Sequence, residues 1–198
     1  MVTLSDNPFP AWDAPAAAHP GTGPAAALLV RIAGVGARAL RAAGARPAAP
    51  GEALRVASIV AGLSGDAGIR PPSLHLYPGA PNALVARAGG PVVAVSEALT
   101  ATGSRIELEA AVAHCLARLV AGEETAAARA CLWAWTHPPL VGEREDVRAA
   151  SLTRYPPGLA AAIARCEPET GRFAPLYFVA AAPTHTPVPE RLAAISDL

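Results

Sequence analysis

Apolar residues dominate from Pro24 to Ala45, with Arg31, Arg38 and Arg41 recurring among them, and this pattern predicts an amphipathic helix over 24–46 closed by Gly44 and Pro47. A second helix is predicted from Pro50-Gly51-Glu52 to about Ser64, where Gly65 and Gly68 break the chain and Pro71-Pro72 enforce extension. Alternation in Ser73-Leu74-His75-Leu76-Tyr77 marks a strand, turned by Pro78-Gly79. Asn82 to Ala86 and Pro91 to Val95 are two more extended pieces, and Gly89-Gly90 between them reads as the turn of a hairpin. The clearest helix runs from Arg105 to Ala121. Ser104 and Glu107 form a capping box at its start, and Leu108, Val112, Cys115, Leu116 and Leu119 form one stripe. Glu107, Ala111, His114 and Arg118 lie on a neighbouring face. Further helices are predicted over Glu123–Trp135, Glu143–Leu152, Pro157–Cys166 and Pro189–Ile195, with a last strand over Leu176–Ala181. The sum is an α+β fold, helix-dominated, with a small hairpin-based sheet.

Residues 1–23 are rich in Pro, Ala and Gly and read as an extended arm, with Phe9 and Trp12 available to pin it to a domain over 24–198. The length of 198 residues suffices for one domain with a buried core. With 16 basic against 16 acidic residues the formal charge is zero, which argues against a nucleic-acid binder working through a basic field. Every basic residue is Arg and none is Lys; together with 21 Pro and 17 Gly this points to a GC-rich coding bias, so single Arg or Pro residues carry little functional weight. Cys115, Cys131 and Cys166 are an odd set without framework spacing, which favours a reduced, cytoplasmic setting. No leader is evident, and the Arg residues interrupt the one long apolar stretch, so no transmembrane segment is expected. That stretch suits core packing, or contact with a membrane surface.

Several motifs resemble, in shared order over residues 51–197, the HtpX-like zinc metallopeptidases, relatives of the CaaX prenyl endopeptidases. Asn82-Ala83 and Gly90-Pro91-Val92-Val93-Ala94-Val95-Ser96-Glu97-Ala98-Leu99 are similar to the family's edge strand and the strand entering its active helix. Glu107 to His114 resembles the run into its first metal-binding His. Asp146 with Ala149-Ala150 resembles the helix that supplies its third ligand. Thr153 to Leu159 resembles the loop after that helix, and Thr184-His185, Pro187, Glu190-Arg191 and Leu192 its C-terminal motif. The resemblance implies a zincin-like (minigluzincin-type) fold with a peptide cleft.

The family's His-Glu-x-x-His binds zinc through two His one helical turn apart, with Glu as general base. Here the run reads His114-Cys115-Leu116-Ala117-Arg118, so Cys115 stands for the base and Arg118 for the second His. The third-ligand position, four before Asp146, is Gly142, with Glu143 one place off. A guanidinium stays protonated and offers no lone pair. Arg118 is therefore expected to replace the metal electrostatically by pairing with Asp146, Glu143 or Glu145. No cofactor is expected; His114 is the one candidate zinc ligand, and zinc is disfavoured.

Other readings stay open beside this one. Cys115 is either a nucleophile with a thiol activated by Arg118, or an inert core thiol on the apolar stripe. His185 and His137 could join His114 in a rebuilt metal site, or be ordinary surface or core residues; His19 and His75 carry no pattern. Trp133 and Trp135 suit either core packing or a partner surface. Functionally, the leading expectation is a catalytically inactive peptidase homologue that binds, scaffolds or regulates a protein or peptide partner, with Asn82, Ala83, Leu84 and Val85 taking an extended peptide by strand addition. The alternatives are an active hydrolase with a noncanonical metal or Cys-based site, or one repurposed for a biosynthetic pathway, and a structural subunit.

Overall fold

The computed structural model describes residues 24–132 and 142–198. The arm over 1–23 and the stretch holding Trp133, Trp135 and His137 lie outside them. The elements in order are α1 (Pro24–Ala42), β1 (Arg46–Pro47), α2 (Leu54–Asp66), β2 (Ser73–Tyr77), β3 (Ala83–Arg87), β4 (Pro91–Ser96), α3 (Glu97–Thr102), α4 (Arg105–Ala121), α5 (Glu123–Ala130), α6 (Glu143–Thr153), α7 (Pro156–Arg165), a 3-10 turn (Ala174–Leu176) and α8 (Val188–Ser196). The fold is α+β, helix-dominated, with a small four-stranded mixed sheet.

The strand order is β1-β2-β4-β3. The expected hairpin forms: β3 and β4 pair antiparallel, Ala83 opposite Val95 and Arg87 opposite Pro91. β2 does not join β3 across its Pro78-Gly79 turn; it crosses over to lie parallel to β4, with Leu74 beside Val93. Alternation gives the sheet two apolar faces. Ala83, Val85, Val93 and Val95 face α2 and α4, while Leu84, Ala86, Val92 and Ala94 face Leu40 of α1 and the aromatic rings of Tyr77 and Tyr177. The arrangement is three layers, α1, sheet, then the α2/α4/α6/α7 helices.

α4 is the axis of the helical layer, packed by α2, α6, α7 and the sheet. Its capping box forms as predicted, with Ser104 Oγ accepting from the Glu107 amide at 3.2 Å and Glu107 accepting from the Ser104 amide at 2.7 Å. Because neighbours cover it from several sides, not only the predicted stripe but also Ala110, Ala111, Ala113, His114 and Arg118 are buried. The buried polar pair is what needs explaining, since an all-round apolar helix would serve packing better.

The strand predicted over Leu176–Ala181 is not one. A 3-10 turn covers Ala174–Leu176, and the following residues make only isolated bridges, Leu84 to Tyr177 and Glu169 to Ala180. The carbonyls of Pro175, Tyr177 and Phe178 are taken by side chains instead of a ladder.

Candidate functional site

His114 and Arg118 are one turn apart on α4 and so share a face. α6 brings Asp146 against that face: His114 Nδ1 lies 3.0 Å from Asp146 Oδ1. α8 adds Arg191, which grips the same carboxylate in a fork, Nε to Oδ2 at 2.7 Å and Nη2 to Oδ1 at 2.7 Å, while Nη1 donates to the Phe178 carbonyl at 2.8 Å. The Phe178 ring lies under this pair, 4.9 Å from the His114 ring and 5.3 Å from the Arg191 guanidinium. Arg118 donates to the carbonyls of Pro175 at 2.6 Å and Tyr177 at 3.2 Å. His185 Nε2 donates to the same Tyr177 carbonyl at 3.2 Å. His114, Arg118, Asp146, His185, Thr186 and Arg191 are all buried.

The electrostatics follow from this burial. Desolvation would raise the Asp146 carboxyl, but the hydrogen bonds from Arg191 and His114 outweigh it and hold the pKa at about 2. His114 is pushed below the usual imidazole value, first by burial and then by the cations of Arg191 and Arg118, against the pull of Asp146. A neutral ring that donates from Nδ1 to Asp146 presents Nε2 as a lone pair, and that atom has no partner. Burial, followed by the charge of Arg118, lowers His185 to about 3. At the rim, burial and the hydrogen bond and charge of Glu145 push Glu123 up to about 7, against the opposing Arg148.

Two expectations are corrected here, and the open choice at Cys115 is decided for the inert core thiol. Arg118 does not pair with Asp146, Glu143 or Glu145. Asp146 is already saturated by Arg191 and His114, Glu143 faces solvent, and Glu145 caps α6 by accepting from the Gly142 amide at 2.8 Å. Arg118 instead meets backbone carbonyls. Cys115 sits in the main core with its thiol raised to about 12 by burial, and the nearby Arg118 offsets only part of that; a nucleophilic thiolate does not form there. Secondly, the β3 edge offers no open groove at Asn82–Val85. These four residues are buried, Phe178 donates its amide to the Ala83 carbonyl at 2.8 Å, and Leu84 bridges Tyr177. The chain's own residues 177–179 lie where a partner peptide was expected.

Asn82 has a structural role there. Its Nδ2 donates to the carbonyls of Glu167 and Val179, both at 2.8 Å, and its Oδ1 accepts from the amides of Ala83 at 2.8 Å and Val179 at 3.2 Å.

Sequence reasoning places Arg191 in a C-terminal motif but does not pair it with Asp146. Its signal was present in the sequence: with Val188 and Ile195 it falls on the apolar stripe of α8, and a cation there implies a buried acidic partner.

The residues do not fit the zinc ion that the resemblance implies. His114 Nε2 is one lone pair, Arg118 is a fixed cation where a second ligand would stand, and Gly142 brings no donor. Gly142 also cannot readily regain one. Its φ of +144° belongs to glycine, and an added Cβ would lie 3.3 Å from both Thr186 Cβ and Arg191 Cδ. Among the described residues no three His, Cys, Asp or Glu gather in a metal-holding group, and no helix is long and apolar enough to cross a membrane. No family model, curated protein or solved structure matches the chain.

Proposed function

We propose that this chain is a non-hydrolytic relative of the HtpX-like peptidases, a zincin-like domain that keeps the frame of the family's site and acts by binding, scaffolding or regulating a protein partner. Arg118 carries the reading. It lies one turn after His114, fully buried, and donates from Nη1 to the Tyr177 carbonyl and from Nη2 to the Pro175 carbonyl, while its Nε has no partner among the described residues. Hydrolysis in that family needs an activated water and a general base. A buried guanidinium activates no water, and the residue at the base position, Cys115, is turned into the core. Support for the family frame comes from convergence: His114, Asp146, His185 and Arg191 belong to motifs far apart in sequence, yet Asp146 joins His114 to Arg191, those two flank the Phe178 ring, and His185 reaches the adjoining Tyr177 carbonyl. With the β3 edge occupied by residues 177–179, the partner is met by other surfaces.

The test is metal stoichiometry with activity. Full-length protein is equilibrated with excess zinc, dialysed and analysed by elemental analysis, then offered casein. The expected result is zinc well below one equivalent and no cleavage above background. One equivalent of zinc that disappears in a His114→Ala variant would overturn the reading. Arg118→Met serves as the structural control. It removes the side-chain donor to the Pro175 carbonyl and one of two to the Tyr177 carbonyl, and should lower stability in urea by about 1–3 kcal/mol.

A further inference from the structure

The corner where α4, α5 and α6 meet carries a feature that does not depend on the peptidase reading. Gly122, in the left-handed region at φ +68°, ends α4 and turns the chain so that Glu123 opens α5. Glu145 stands in the first turn of α6, 3% exposed, and its Oε2 accepts from the Gly142 amide at 2.8 Å. The Glu123 and Glu145 carboxyl groups face each other across this corner. One Glu123 oxygen, Oε1, accepts from Arg148 Nη1 at 2.8 Å. The other, Oε2, has no hydrogen-bond partner among the described residues and essentially no accessible surface. A carboxylate oxygen can only accept, and buried polar groups without partners are rare. Sealed beside a second carboxylate with no donor in reach, this carboxyl needs a proton of its own, which makes it a donor toward Glu145.

We propose that Glu123 and Glu145 share one proton and act as a pH-operated clasp between the first turns of α5 and α6, closed while the proton is held and released when it leaves. On release the Glu123 O–H breaks, its proton passes to water, and two carboxylates are left facing each other. Burial opposes ionisation of Glu145, but hydrogen bonds from Glu123 and the Gly142 amide outweigh it and lower its pKa. Glu123 is the protonated member: burial, then the hydrogen bond and charge of Glu145, push it up to about 7 against the opposing Arg148. The clasp is therefore complete below the ordinary carboxyl range and is lost as pH rises through about 7. The surrounding charges do not replace the proton. Arg148 is half-exposed and already on Oε1. Arg118 of α4 feels both carboxyls, but its Nη groups are on the Pro175 and Tyr177 carbonyls. Glu124, next on α5, is held by Arg87 of β3 at 2.6 Å. His114 of α4 and Arg191 of α8 are engaged by Asp146. α1 and the 3-10 turn meet α5 through apolar residues, among them Ala127, Ala128 and Cys131. Asp146 follows Glu145 on α6, so an open clasp loosens the turn that presents its carboxylate to His114 and Arg191.

The experiment is a magnetic-resonance titration of full-length, isotope-labelled protein from about pH 5 to about pH 9, following the Glu123 carboxyl carbon and the amides of Glu145 and Asp146. The Glu123 carboxyl should titrate with a midpoint of about 7, and both amides should shift with the same midpoint. The Asp146 amide donates to the Gly142 carbonyl at 2.8 Å, and its hydrogen-exchange protection should fall about tenfold on the alkaline side. Glu123→Gln keeps a donor toward Glu145 that cannot be lost, so both amides should hold their acid-side positions throughout. Glu145→Gln keeps an acceptor for the Gly142 amide but removes the facing charge, and should lower the Glu123 midpoint by about one pH unit or more. A Glu123 midpoint in the ordinary carboxyl range, Glu145 and Asp146 amides that ignore its titration, or an unchanged midpoint in folded Glu145→Gln would each overturn the proposal. If a variant fails to fold, the wild-type titration decides by the first two.

Discussion

Asp146 accepts hydrogen bonds from a neutral imidazole and from both arms of one guanidinium, all inside the protein. Its folded pKa is about 2 against 3.8 unfolded. A carboxyl whose pKa falls on folding stabilises the fold above its unfolded pKa, and that stabilisation disappears as pH drops through the folded value. The loss should therefore fall between pH 3.8 and about 2, and amount to about 2 kcal/mol. Urea midpoints measured across that window should drop in the wild type. In Asp146→Asn this component should be absent, against a baseline already lowered by about 3–5 kcal/mol because Arg191 is left buried without its counter-charge. The thiols give a second residue-scale prediction. Cys115, Cys131 and Cys166 are buried and free, with pKa values raised to about 12, 11 and 12, chiefly by burial. Native protein should resist a thiol reagent at neutral pH, and urea should release all three together. Fast labelling of Cys115 alone in folded protein would contradict its place in the core.

At the scale of elements, α1 reaches the sheet at one point of close approach. Gly36 lies against the β3 backbone, and a Cβ there would overlap the Arg87 carbonyl oxygen and its amide nitrogen. Backbone cannot yield as a side-chain tip can. Gly36→Ala should thus lift α1 from the sheet and cost about 3 kcal/mol despite the better helix propensity of alanine. An increase in stability would show that the contact relaxes. This contact was not legible in the sequence, where Gly36 is one small residue among many in an alanine-rich helix. The elements that were legible carried strong local signals: the Ser104/Glu107 box fixed the start of α4, and Gly89-Gly90 fixed the β3–β4 hairpin. The 3-10 turn was not, because Leu-Tyr-Phe-Val at 176–179 has strand composition while its carbonyls go to Arg118, His185 and Arg191. Local propensity cannot register side chains that arrive from three other elements. For the same reason the sequence placed Arg118 one helical turn after His114 but did not tell what it would hold.

At the scale of the whole molecule, Asn82 ties the start of β3 to two segments of the C-terminal part of the chain by side-chain hydrogen bonds. Its side chain spans separations of 85 and 97 residues, binding the Glu167 carbonyl on one side and both backbone groups of Val179 on the other. The same segment is clamped from beneath by Arg118 and Arg191. Folding should therefore couple β3, the 177–180 segment and the α4/α6/α8 cluster into one cooperative unit. Asn82→Asp isolates the donor half of this link. The two accepting bonds at Oδ1 can survive, while both donations from Nδ2 are lost and an unpaired charge enters a buried position. The cost should be about 3 kcal/mol or more, and amide exchange should quicken at Ala83, Phe178 and Val179 together. Asn82→Ala should open the same amides without the added charge and be less damaging. If exchange quickened only at Ala83 and left Phe178 and Val179 protected, the C-terminal segment would be held by Arg118 and Arg191 alone. The sheet edge would then be a separable layer that a partner's strand could reach.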